Sequence, residues 1–153
     1  MPYKRRKRIG FIMWRKELKT GHTYYVEVFV WRSHAALMSE SGIDGDCLAC
    51  YIPMPRKAGP EDYYHKPRGR KFGEFHFYDK GVTAGILAHE LTHFICDWIS
   101  TFDLDMDRDS EQLAQIAETI TRQFWNRFYD VQGYTNKKAE LGEATPVEEE
   151  QDR

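Results

Sequence analysis

Between Lys80 and Asp97 the chain carries a single formal charge, Glu90, in a run otherwise made of small and apolar residues, two threonines and two histidines. A stretch this apolar has to bury at least one side, and it is too long for an ordinary strand. We therefore expect a buried helix from about Gly81 to Ser100. On such a helix His89 and His93 stand about 40° apart around the axis, so both imidazoles leave the same side. Glu90 lies next to the first of them, and a carboxylate in so apolar a segment is costly without a partner.

The pattern His89-Glu90-Leu91-Thr92-His93 gives those polar groups one task. Two imidazoles a helical turn apart can hold one metal ion, and a carboxylate beside the first can take a proton from water on that metal and pass it to a leaving group. Catalytic zinc usually has three protein ligands and an open position, so a third ligand is expected elsewhere. The apolar positions Leu113, Ile116, Ala117, Ile120, Phe124 and Phe128 recur at helical spacing up to about Tyr129. This second helix opens at Asp109, with Gln112 placed to complete a capping box. It brings two carboxylates, Glu111 in its first turn and Glu118 two turns on, and the residues themselves leave both open as ligands.

With its short connecting loop and the helix opening Glu111-Gln112-Leu113-Ala114-Gln115-Ile116-Ala117, the motif resembles the gluzincin branch of the zincin metallopeptidases. The likeness runs from about Phe72 to Tyr129 and is nearest to small single-domain members, including phage and prophage zincin-like proteins. It implies one Zn2+ per chain held by His89, His93 and Glu111, the last because Glu111 and Ala114 match the family's E-x-x-A. It also implies Glu90 as general base in the hydrolysis of a peptide or protein substrate. Where some gluzincins carry an Asp four residues after the ligand Glu, this chain has Gln115, which leaves Glu118 as a possible carboxylate behind a ligand. Position 99 is Ile99, which excludes the longer three-histidine motif. The other class of function considered is a zincin-fold binding or scaffold protein with a structural or vestigial zinc site.

Thr23 to Trp31 alternates as a strand, with Tyr24, Val26, Val28 and Val30 on one face and Tyr25, Glu27, Phe29 and Trp31 on the other. Ile9 to Trp14 is its expected neighbour, Cys47 to Ile52 is a further strand, and Ser33 is an N-cap for a short helix. Lys71 to Asp79 reads as a strand with Phe75, Phe77 and Gly73 on one face and Phe72, Glu74, His76 and Tyr78 on the other. Its place before the motif helix makes it the expected sheet edge bounding the cleft. Pro53 to Arg70, rich in Pro, Gly and charge, reads as a surface loop. The fold expected is α+β: a mixed twisted sheet whose edge strand packs on the motif helix, followed by the Glu-bearing helix. Tyr129, Tyr134, His65, His76 and Arg122 are the candidate donors to a developing oxyanion.

One domain, residues 9–134, fits the length of 153 residues, with a flexible basic segment at 1–8 and a disordered acidic tail at 135–153. The run Lys4-Arg5-Arg6-Lys7-Arg8 stands against a net charge of −2, so nucleic acid is not an expected partner. Without a membrane-spanning or signal-like stretch, the chain is expected to be a cytoplasmic monomer, in the host cytoplasm if phage-encoded. Cys47-Leu48-Ala49-Cys50 is C-x-x-C, but three cysteines make no disulfide framework, and buried thiols are expected.

Overall fold

A computed structural model describes residues 8–42, 46–54 and 69–132. The expected strands form: β1 (Arg8–Lys16), β2 (Thr23–Trp31), β3 (Ala49–Pro53) and β4 (Arg70–Tyr78). Helix α1 (His34–Ser41) follows β2, and α2 (Ala84–Phe102) and α3 (Ser110–Gln132) close the described chain. The four strands make one mixed sheet in the order β1-β2-β4-β3, so the class is α+β. Among the described residues no helix is long and apolar enough to cross a membrane. The expected terminal segments, apart from Arg8, and most of the expected loop lie outside the described residues.

Helices α2 and α3 cover one face of the sheet. Val26, Val28 and Val30 of β2 meet Leu87, Leu91, Phe94 and Trp98 of α2 and Ile116, Ile120 and Phe124 of α3 in a single core. On the opposite face α1 lays Leu37 over Phe29 and Trp31. Ser33 caps α1 as expected, accepting the Ala36 N–H at 3.1 Å. Asp109 does not build the expected capping box. Its carboxylate turns back to accept the Asp105 N–H at 2.8 Å and to pair with Arg108 at 3.0 Å, because the acidic connection has unpaired N–H groups of its own.

Two expectations for β4 are corrected. The strand is interior, pairing parallel with β2 on one side and antiparallel with β3 on the other, so the edges are β1 and β3. Its aromatic run suits that place, since an interior strand between covered faces is buried on both. Phe72 does not face away from Phe75 and Phe77. The β2–β4 register shifts at this point, with Tyr25 opposite Lys71 and Val26 opposite Gly73, and this bulge turns Phe72 into the same core.

The bulge leaves Gly73 under the ring of Tyr51, where an added Cβ would stand 2.5 Å from Oη and 2.7 Å from Cε2. Gly73→Ala is therefore expected to push the Tyr51 ring aside and to cost about 1–3 kcal/mol of stability by overpacking. Thermal or urea unfolding measures this, and wild-type stability in the variant would show that the ring is not held on the glycine.

The two edges are finished differently. At β1 the side-chain amide of Gln123 from α3 accepts the Trp14 N–H at 2.9 Å and donates to the Trp14 carbonyl at 2.8 Å, taking the place of a neighbouring strand. At β3, Tyr78 N–H bonds to the Leu48 carbonyl (2.9 Å) and Met54 N–H to the Phe72 carbonyl (3.2 Å). Alternate residues point alternate ways, so Ala49, Tyr51 and Pro53 turn their backbone groups away from β4, and the Tyr51 N–H meets Glu90 of α2.

Candidate metal centre

Helix α2 begins at Thr83, whose hydroxyl accepts the Ile86 N–H at 3.1 Å. It buries Leu87, Glu90, Leu91, Phe94 and Trp98, a stripe at helical spacing that fixes its rotation against the sheet. That rotation leaves His89 and His93 on the exposed side, over the open edge of β3. Their Nε2 atoms are 3.3 Å apart. Two nitrogens bound to one tetrahedral zinc at about 2.0–2.1 Å would be separated by about 3.3–3.4 Å. The pair thus fits a single ion on the strength of helix geometry alone.

Glu90 is buried, with 6% of its surface exposed, and its Oε1 is 3.9 Å from His89 Nε2. Burial raises its pKa, opposed by the two histidines and by a hydrogen bond from the Tyr51 backbone N–H. A buried carboxylate with a raised pKa beside two imidazoles is the environment of a proton-transfer group.

Between α2 and β3 lies a cavity of about 450 Å³. Its helix wall is His89, Glu90, His93 and Asp97, and its strand wall is Ala49, Cys50, Tyr51 and Pro53, with Cys47 at the end. Asp97 stands four residues beyond His93, so it continues the same side of the helix. It accepts the Tyr51 hydroxyl at 2.7 Å and the Thr101 hydroxyl at 3.3 Å, which ties β3 to α2 across one end of the cleft. The spacing 89, 93, 97 was visible in the sequence. Tyr51 was not, because only the sheet pairing places it. Cys47 is half-buried and Cys50 buried. Burial, and then the Glu90 carboxylate, push the Cys47 thiol up.

The carboxylates of α3 are elsewhere. Glu111 is exposed and receives the Gln115 amide at 3.4 Å, and Glu118 is exposed and pairs with Arg122. Neither lines the cavity, and among the described residues no three of His, Cys, Asp and Glu are gathered to hold an ion. Of the candidate oxyanion donors, His76 is buried on the α1 face with both ring nitrogens engaged, by Trp31 and Glu74. Arg122 is paired with Glu118, Tyr129 packs on Trp125, and His65 and Tyr134 lie outside the described residues. Comparison with known protein families, curated proteins and solved structures finds no match to this chain.

Proposed function

We propose that the protein is a zinc-dependent metallopeptidase of gluzincin type, with His89 and His93 as metal ligands and Glu90 as general base. The observation that carries this reading is the 3.3 Å separation of the two Nε2 atoms, with a buried carboxylate beside them at the open edge of a sheet. Zinc bound there would polarise a scissile carbonyl and lower the pKa of a water toward about 7. Glu90 takes the proton from the attacking water and delivers it to the leaving amine, without a covalent intermediate. At the β3 edge Glu90 takes the Tyr51 N–H, the Cys47 thiol takes that of Ala49 and Pro53 has none, so what this edge offers an extended peptide is carbonyl acceptors. The substrate is a peptide or an exposed protein loop, and the protein works as a cytoplasmic monomer.

The binding or scaffold alternative is favoured by one observation, the lack of a gathered third donor among the described residues. Metal analysis of untagged protein separates the two. Near one zinc per chain, lost in His89→Ala and His93→Ala, is the expected result, together with cleavage of a peptide library by the wild type. Zinc without cleavage supports the scaffold, and no zinc removes the enzyme reading. For the third donor the chain offers two kinds of answer. Glu111, implied by the resemblance, lies outside the cavity, while other donors line it.

A further inference from the structure

Two features of the cavity between α2 and β3 select for the same kind of ligand. The first is its strand wall. The N–H of Tyr51 is taken by Glu90 and that of Ala49 by the Cys47 thiol, and Pro53 has none, so the outward side of β3 offers carbonyl oxygens alone. A row of acceptors without donors cannot exchange paired bonds with an added strand. It suits groups that only donate. Among charged side chains, the ammonium of lysine and the guanidinium of arginine do this and bring no acceptor of their own.

The second feature is Asp97 on the helix wall. Its side chain is half-buried, and the Tyr51 hydroxyl at 2.7 Å and the Thr101 hydroxyl at 3.3 Å hold its carboxylate. Both donors are neutral, so they fix the direction of the carboxylate and leave its sign unchanged. A carboxylate oxygen has more than one lone-pair site, so each can accept again. A cation in the cleft therefore meets a charged acceptor already oriented, and partial burial limits its screening by water. Glu90 does not serve in this way, because it is buried against His89 and receives the Tyr51 N–H.

We propose that Asp97 is a specificity-determining residue and that the cleft takes extended peptides carrying a lysine or arginine. The proposal rests on the metallopeptidase reading for the peptide as occupant, and nothing in the His-Glu-His motif assigns it. Asp97 stands one helical turn beyond His93, about 6 Å of rise, which an extended chain covers in about two residues. The basic residue therefore lies about two positions from the one over His93.

The test reads affinity rather than cleavage. Fluorescently labelled peptides of alanine and glycine carry one central lysine, norleucine or glutamate, and the full untagged chain is held in EDTA so that no metal-dependent cleavage occurs. Norleucine keeps most of the lysine side chain without its charge, so the comparison isolates the ammonium. The wild type should bind the lysine peptide about tenfold more tightly than the norleucine peptide, the scale of a hydrogen bond to a charged group, and the glutamate peptide more weakly than either. Asp97→Asn should remove the difference between lysine and norleucine, while its side-chain oxygen still accepts the Tyr51 hydroxyl and keeps the walls together. Tyr51→Phe breaks that tie but leaves the carboxylate, and should keep the preference. Were Asp97 only a brace between α2 and β3, the two variants would behave alike.

Equal affinity for lysine and norleucine in the wild type, an undiminished preference in Asp97→Asn, or no binding of any of the three peptides would overturn the proposal. Zinc content and cleavage of the peptide library are separate readouts. If the lysine preference fails while they hold, the metallopeptidase reading stands. If they fail while the preference holds, the cleft binds basic peptides without cutting them.

Discussion

Glu90→Gln is expected to lower peptide cleavage by about 10²- to 10⁴-fold, the usual contribution of a positioned general base, while zinc stays near one per chain. Gln has nearly the shape of Glu and fills the same buried place between α2 and β3. Its amide oxygen can still accept the Tyr51 N–H, so the cleft keeps its walls. What it lacks is a group that can take and return a proton. The substitution also removes a carboxylate that burial disfavours, so unfolding of the metal-free variant should not move to lower temperature. Loss of cleavage then cannot be ascribed to loss of fold. Cleavage close to the wild-type rate, with zinc bound, would remove Glu90 from the chemistry, since His89 and His93 would be occupied by the metal. Loss of zinc in this variant would instead make Glu90 part of the ligand set.

How much of the site was legible depends on how local each part is. His89, Glu90 and His93 belong to one helix, so their relation follows from helical geometry and needs no knowledge of what lies opposite. The alternation of β2 likewise put Val26, Val28 and Val30 on one face, which α2 and α3 cover, and Ser33 announced its own cap. The misread features depend on partners distant in sequence. Phe72 faces the core because the register shifts where β4 passes Tyr25 and Val26, and alternation within β4 cannot reveal a shift made in pairing. β4 is interior because the five residues of β3 pair outside it. The cleft wall therefore passes to β3, and with it Tyr51 and Cys47, neither of which the motif points to. Asp109 was misassigned for a related reason. Its carboxylate had two backbone regions to serve, and Asp105 N–H took it.

Glu74 should make the fold acid-sensitive without involving the cleft. On the α1 face, Trp31 Nε1–H donates to His76 Nδ1 at 3.0 Å, which leaves Nε2 as the proton-bearing nitrogen that donates to Glu74 at 2.9 Å. Lys71 joins Glu74 to Glu27, its Nζ 3.0 Å from the Glu27 carboxylate. The His76 hydrogen bond, with Lys71 behind it, overcomes the cost of burial and holds the Glu74 pKa down to about 2, from an ordinary 4.5. A depressed carboxylate pKa stabilises the fold fully above the unfolded value. The contribution then declines as pH falls through about 4.5 and is gone below about 2. A shift of this size corresponds to about 3 kcal/mol. Glu74→Gln should therefore lose about that much in urea unfolding at pH 7 and progressively less toward pH 3, while its zinc content remains that of the wild type. A stability difference that stays constant with pH would show that the loss is one of packing, since only a group titrating differently in the two states can make the gap close on acidification. Zinc loss in the same variant would show that the two faces of the sheet are coupled, because no side chain in this network lines the cavity between α2 and β3.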